Sequence, residues 1–253
     1  MRGKRLAPVL VAVVGFLVAF VDPVAAAQYQ SVTEKLIRDL NSMLLAAALP
    51  ITLLVEGILV YTVWKYRNAD EAKPTKENRR LEITWTVATA VVLLFVGVAA
   101  YGVMGQTAVT ATQADAQEAI AQEDTVVVDV TGVQWYWKYS YPEENLTVSS
   151  GAATEGVDVG DQPMVIPEDT KLVIRTHSED VIHSFHVPSL GLKKDAIPGQ
   201  TNYIITTVTE TGSYQLYCAE FCGQGHSQML GTIRVVEEEK YEAWVQDPAN
   251  VSV

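Results

Sequence analysis

Cys218-Ala-Glu-Phe-Cys222-Gly-Gln-Gly-His226-Ser-Gln-Met229 gathers two thiols, an imidazole and a thioether in one short stretch. The cysteines are four residues apart, the histidine follows four later, and the methionine three after that. Thiolate, imidazole and thioether are the soft and borderline donors that select copper over harder metals. Strand-like runs flank the stretch at 212–216 and 231–236. The donors therefore ride on a loop at the end of a β structure, and the rest of that structure should be legible around them.

It is. Further runs rich in β-branched and aromatic residues lie at 125–130, 133–139, 170–176, 181–187 and 202–208, with Gly and Pro between them. Their spacing predicts a small Greek-key β-sandwich or barrel over 125–253. A short closing helix is expected at 237–245, and a polar Ala/Gln-rich linker at 106–124 leads in.

Ahead of the linker the composition changes. Two apolar stretches, 42–64 and 83–104, are each long enough to cross about 30 Å of hydrocarbon. Residues 28–105 thus read as a transmembrane hairpin, with 28–40 a short amphipathic helix at the membrane surface. The connecting loop carries Lys65, Arg67, Lys73, Lys76, Arg79 and Arg80 against three acids, which assigns it to the cytoplasm. Arg2, Lys4 and Arg5, the apolar run 6–21 and Ala25-Ala26-Ala27 read as a signal peptide over 1–27 that is cleaved. Both signals put the C-terminal domain on the periplasmic or extracellular side of a prokaryotic cell membrane.

The chain carries a net charge of -12. From Gly105 onward, 22 acids face 7 bases. So acidic a domain repels phosphate and excludes nucleic acid as a partner. It suits either a basic protein partner or solubility in high salt.

The chain's 2 cysteines could form a disulfide outside the cytoplasm. That reading leaves His226 and Met229 at ligand spacing unexplained. Two thiolates in one loop can instead bridge two copper ions and share an electron between them, given one further imidazole. The remaining histidines are His177, His183 and His186. His183, in Asp180-Val-Ile-His-Ser-Phe-His-Val-Pro188, opens a strand-like run; alternation sends His186 to the other face.

These residues resemble subunit II of the haem–copper cytochrome c oxidases, the subunit that carries the dinuclear CuA centre. The likeness runs through nearly the whole chain: the two spans, Gln134-Trp-Tyr-Trp-Lys-Tyr139, the block at His183, Val187-Pro-Ser-Leu-Gly-Leu192, Asp195-Ala-Ile-Pro-Gly199 and the Cys-x-x-x-Cys-x-x-x-His-x-x-Met loop. It implies a cupredoxin-like domain behind a two-helix hairpin. It also implies one copper on His183, Cys218, Cys222 and Met229, and a second on His226, both thiolates and the backbone carbonyl of Glu220. The Glu220 carboxylate would hold a magnesium ion shared with subunit I. Trp135 would be the point of electron entry, and Glu82 the mouth of a proton channel. Trp135 and Trp137 should share one face of their strand. Glu56, within the first span, is expected to face protein or water.

The implied partners are the haem-bearing subunit I, subunit III, membrane lipid, and cytochrome c or a small blue-copper protein as electron donor. The implied activity is that of a terminal oxidase: electrons pass to haem for oxygen reduction coupled to proton translocation. Two other readings share parts of the pattern. A quinol oxidase subunit has the fold but lacks the copper ligands, which are intact here. A membrane-tethered copper carrier or assembly factor usually has one span and a simpler site.

Overall fold

The computed structural model describes residues 29–253, apart from 70, 72, 73, 75, 123, 152–159, 250 and 252. The signal peptide expected over 1–27 lies outside the described residues.

Two long helices come first, α1 (Val32–Tyr66) and α2 (Arg79–Met104). Ser31 starts α1, its hydroxyl accepting from the Glu34 amide, and Asn78 caps α2 in the same way through the Leu81 amide. At about 1.5 Å per residue, α1 is about 52 Å long, well beyond the hydrocarbon thickness. Its first turns carry the pairs Arg38–Glu34 and Lys35–Asp39, at 2.8 and 2.7 Å. Such charges belong in water, so the head of α1 stands clear of the apolar part. Residues 32–40, expected to belong to a separate short helix, are therefore the first turns of α1. Nothing at Asn41 or Ser42 breaks the backbone, and it runs straight into the span. Below the head the side chains turn apolar and exposed, among them Leu54, Val63, Leu93, Leu94 and Val98. Both helices are long and apolar enough to cross a membrane.

The β domain consists of β1 (Thr125–Val133), β2 (Tyr136–Tyr141), β3 (Leu146–Gly151), β4 (Met164–Pro167), β5 (Lys171–Ser178), β6 (His183–Val187), β7 (Leu192–Ala196), β8 (Asn202–Thr207), β9 (Gly212–Cys218) and β10 (Leu230–Val236). They form two five-stranded sheets, ordered β3-β2-β1-β5-β8 and β4-β10-β9-β6-β7. Pairings β1–β5 and β4–β10 are parallel, and the other pairings are antiparallel. The inner faces meet in one core. Alternation along β2 sends Trp137, Tyr139 and Tyr141 into it, all with no exposed surface, opposite Phe185, Leu216 and Ile233. The closing helix is Glu238–Gln246, and it buries Tyr241 and Trp244.

Three strands escape a reading of the sequence. β3 ends in Ser-Ser-Gly and resembles a turn, β4 has four residues, and β7 reads Leu-Lys-Lys-Asp-Ala, polar enough for a loop. The linker expected at 106–124 also carries a helix, α3 (Gln113–Ile120), closed by a reciprocal cap between Thr112 and Asp115. Its Ala116 and Ala119 pack on Val173 of β5.

The hairpin and the β domain are joined by more than chain continuity. Ser31 Oγ donates to the Leu190 carbonyl at 2.6 Å, Thr33 Oγ1 and Thr206 Oγ1 share a hydrogen bond at 2.9 Å, and Ser31 bridges Val208. The head of α1 is thus a foot on which the sandwich stands. Both the start of α1 and the end of α2 lie at the domain end, with the basic loop at the other.

Candidate metal centre

The ligand loop is the connection of the β9–β10 hairpin. β9 ends on Cys218, and Met229 immediately precedes β10. The Cys218 amide donates to Met229 O at 3.0 Å, closing the loop at its base, and the Ala219 amide donates to Ser184 O at 2.9 Å, pinning it to β6. Because β6 pairs antiparallel with β9, with Phe185 opposite Cys218, His183 arrives beside the first cysteine.

The donors converge. The two sulfurs are 3.8 Å apart; His183 Nδ1 is 3.8 Å from the Cys218 sulfur, His226 Nδ1 is 3.6 Å from the Cys222 sulfur, and Met229 Sδ is 3.8 Å from the same atom. The Glu220 carbonyl oxygen lies 3.2 Å from the Cys218 sulfur, while the Glu220 carboxylate points outward and accepts from the Phe221 amide at 3.2 Å. Both thiols are free and buried. Their separation fits a shared ion: two metal–thiolate bonds of about 2.3 Å at a tetrahedral angle place the sulfurs about 3.8 Å apart.

The electrostatics of the sulfurs agree with that fit. Burial pushes the Cys218 thiol up, but the His183 ring and the backbone of Ser184 and Glu220 outweigh it, bringing the thiol down to about 7. On Cys222, burial is reinforced by the neighbouring Cys218 sulfur, and the thiol is pushed up to about 12. The imidazole and backbone groups beside Cys218 favour its thiolate, the form in which a thiol would hold a cation.

The surroundings hold these donors in place. His183 has no exposed surface, and its Nε2 hydrogen-bonds Asp180 Oδ1 at 2.8 Å. Metal-ligating imidazoles are oriented by such an outer carboxylate. Trp137 meets the His183 ring edge-on, with centroids 6.0 Å apart. On β1, Gly132 leaves room for the same ring, since a Cβ there would come within 2.7 Å of His183 Cδ2.

Trp135 does not sit on a strand with Trp137. With Gln134 it forms the turn between β1 and β2, so strand alternation does not govern it. The chain turns there because Val133 already pairs with Tyr136. Half-buried, the indole lies over the ligand loop and donates from Nε1 to Cys222 O at 3.1 Å, while Gln134 Nε2 donates to the same oxygen at 2.5 Å. A Cβ at Gly225 would come within 2.4 Å of the indole. Gly225→Ala is thus expected to cost about 1–3 kcal/mol by overpacking, measured by denaturant unfolding. The cost should largely disappear when Trp135→Ala is added; equal costs in both backgrounds would show that the indole is not what the methyl strikes.

Other singled-out residues fall elsewhere. Glu82 lies in the first turn of α2 and Glu56 is exposed on α1. His177 Nε2 and Thr131 Oγ1 share a hydrogen bond at 3.0 Å, and His186 packs on the Tyr217 ring on the far side of its strand from His183. Asp180 and Gln134 are functional neighbours that the motifs did not single out. Asp180 had a signal, an acid three residues before the candidate ligand His183; Gln134 was visible only as the first residue of the aromatic cluster, because its contact is made across 88 residues of chain.

A sandwich of cupredoxin type, standing on a two-helix hairpin and offering sulfur and imidazole donors at one end, defines a membrane-anchored copper-binding protein. Residues 126–236 match the family model for the periplasmic domain of cytochrome c oxidase subunit II, and residues 10–103 match that for its transmembrane domain. Cytochrome c oxidase subunit 2 of Cereibacter sphaeroides is 31% identical over 235 residues, covering 82% of this chain and 74% of that protein. A Rickettsia bellii protein described as "Probable cytochrome c oxidase subunit 2" is 33% identical over 224 residues, covering 84% and 79%. Among solved structures, the periplasmic domain of subunit II from Bradyrhizobium japonicum is 35% identical, covering 48% of this chain and 91% of that one, with a TM-score of 0.44. The chain belongs to the cytochrome c oxidase subunit II family, and so to an oxidase complex.

Proposed function

We propose that this chain is the electron-entry subunit of a terminal oxidase, taking electrons from a soluble donor outside the cytoplasm and delivering them towards the haem of subunit I. The observation that carries this reading is the convergence of His183, Cys218, Cys222, His226, Met229 and the Glu220 carbonyl directly beneath Trp135. His183, Cys218, Cys222 and Met229 would hold one copper; His226, both thiolates and the Glu220 carbonyl would hold the other. Bound there, the pair would supply a one-electron couple. The residues supply everything around it. The buried sulfurs and Met229 exclude water, Asp180 fixes the His183 ring, and the Cys222 carbonyl, held by Trp135 and Gln134, ties the half-buried indole to the loop.

Trp135, half-buried over the loop, would receive the donor, and the surplus of acids on the domain would attract a basic one such as cytochrome c, or a small blue-copper protein. In molar salt this steering would be screened over about 3 Å. The Glu220 carboxylate, turned away from the sulfurs, is free to hold magnesium against subunit I. Glu82 at the basic-loop end of α2 would admit protons into subunit I. Subunit III would complete the assembly in a prokaryotic cell membrane, with the β domain on the periplasmic or extracellular side and the Lys/Arg-rich loop in the cytoplasm.

Trp135→Ala tests the entry route. In the assembled oxidase it should slow oxidation of the donor by at least about tenfold, equivalent to about 1.4 kcal/mol of barrier, with copper content and optical spectrum unchanged. An unchanged rate of electron entry would reduce Trp135 to packing.

A further inference from the structure

We infer that Asp180 is a positioning residue that locks the His183 ring and the Trp135 turn into one unit. This rests on the reading of His183 as a metal ligand and Trp135 as the entry point. Asp180 precedes β6 with its side chain about a third exposed, where a surface acid would ordinarily be solvated. Instead both of its oxygens are engaged by the fold. Oδ1 meets His183 Nε2 at 2.8 Å and accepts from the Val181 amide at 2.6 Å. Oδ2 accepts from the Gln134 amide at 2.8 Å. The Asp180 amide in turn donates to Ser178 Oγ at 3.2 Å, which fixes the carboxylate's own direction.

The Gln134 contact gives these bonds a joint consequence. Gln134 and Trp135 are the two residues of the β1–β2 turn, and both side chains donate to Cys222 O. A closed circuit runs from His183 through Asp180 to the Gln134 backbone, on through the turn's side chains to Cys222 O, and back through the two sulfurs to His183 Nδ1. Asp180 is the only member of that circuit reaching the imidazole and the turn with a single planar group. Its two oxygens fix the ring and the indole-bearing turn relative to each other, so a tilt of one is transmitted to the other. An acid serving only to attract a basic donor has no need to spend both oxygens inside the fold.

The test uses the assembled, copper-loaded oxidase. Asp180→Asn keeps shape and one acceptor, but its amide nitrogen must face either the Gln134 N–H or the His183 ring. Glu179→Gln is the control: it removes the same charge one residue away, from a carboxylate that pairs with Lys138 at 2.6 Å and touches neither group. Asp180→Asn should change the copper hyperfine pattern, weaken copper retention against a chelator by about 10–100-fold, and lower kcat for donor oxidation. The salt dependence of KM should move no more than in Glu179→Gln. Glu179→Gln should leave spectrum, retention and kcat as in the parent. Should the two variants behave alike, with KM raised and spectrum and retention untouched, Asp180 is a docking charge and the positioning role is wrong. A parent protein with no copper signal would instead remove the metal reading on which the inference stands. Gln134→Ala, which cuts only the side-chain link, should slow donor oxidation while leaving the hyperfine pattern of the His183 side unchanged; a spectrum altered as in Asp180→Asn would contradict the circuit as drawn.

Discussion

Cys222→Ser is expected, on the proposed two-copper reading, to leave the chain with one copper ion at most and to stop electron entry almost completely. The Cys222 sulfur is the atom around which the site is built: Cys218 Sγ at 3.8 Å, Met229 Sδ at 3.8 Å and His226 Nδ1 at 3.6 Å all surround it. Serine offers a hard oxygen that stays protonated at neutral pH and cannot bridge soft ions. His226 is then left with no thiolate beside it, and Met229 loses its nearest sulfur. Changing only the outer partners of a metal ligand costs about 10–100-fold in affinity, so loss of a shared ligand should exceed about 100-fold. Copper-to-protein ratios after dialysis against a chelator, and oxygen uptake with the donor, give the result. Retention of two ions with activity near that of the parent would show that Cys222 is not a bridge.

Trp137→Ala should be the most damaging change outside the candidate ligands. The ring has no exposed surface and lies edge-on to both His183 and Phe185, with centroids 6.0 and 5.8 Å away. Truncating a buried Trp costs about 3–5 kcal/mol through lost burial and the cavity left behind. In a domain of this size that is on the order of 10–15 °C in Tm. The cavity opens against the His183 ring, so copper retention should fall with stability. Trp137→Phe keeps most of the ring and should cost far less on both counts. Calorimetry of the three proteins decides it: equal melting temperatures would mean that the indole does not support the core.

Much of this arrangement is legible in the sequence because the ligand loop is local. Cys218, Cys222, His226 and Met229 lie within one hairpin connection, and their spacing reports their chemistry before any fold is known. His183 is harder, being brought beside Cys218 by the β6–β9 pairing, and it is singled out only by the need for a second imidazole and by its place in the Asp-Val-Ile-His block. The spans are legible because length and hydropathy suffice. Less was readable where tertiary context decides. The head of α1 reads as a separate surface helix because its charges interrupt the apolar run, yet its backbone is continuous. Trp135 reads as a strand residue because valine and aromatics surround it; pairing of Val133 with Tyr136 makes it a turn instead. β7 pairs through its backbone despite Lys193, Lys194 and Asp195, and α3 rests on one capping box and two alanines. The carboxylate of Asp180 and the amide of Gln134 gain meaning only once β1, β2 and β6 have been brought together.

The electron paramagnetic resonance spectrum of the copper-loaded chain within its assembled oxidase tests the central claim most directly. One unpaired electron shared equally over two copper nuclei, each of spin three-halves, gives seven hyperfine lines, with two copper ions per chain by analysis; that is the expected result. A four-line spectrum with a single copper ion per chain would contradict the dinuclear centre on Cys218 and Cys222.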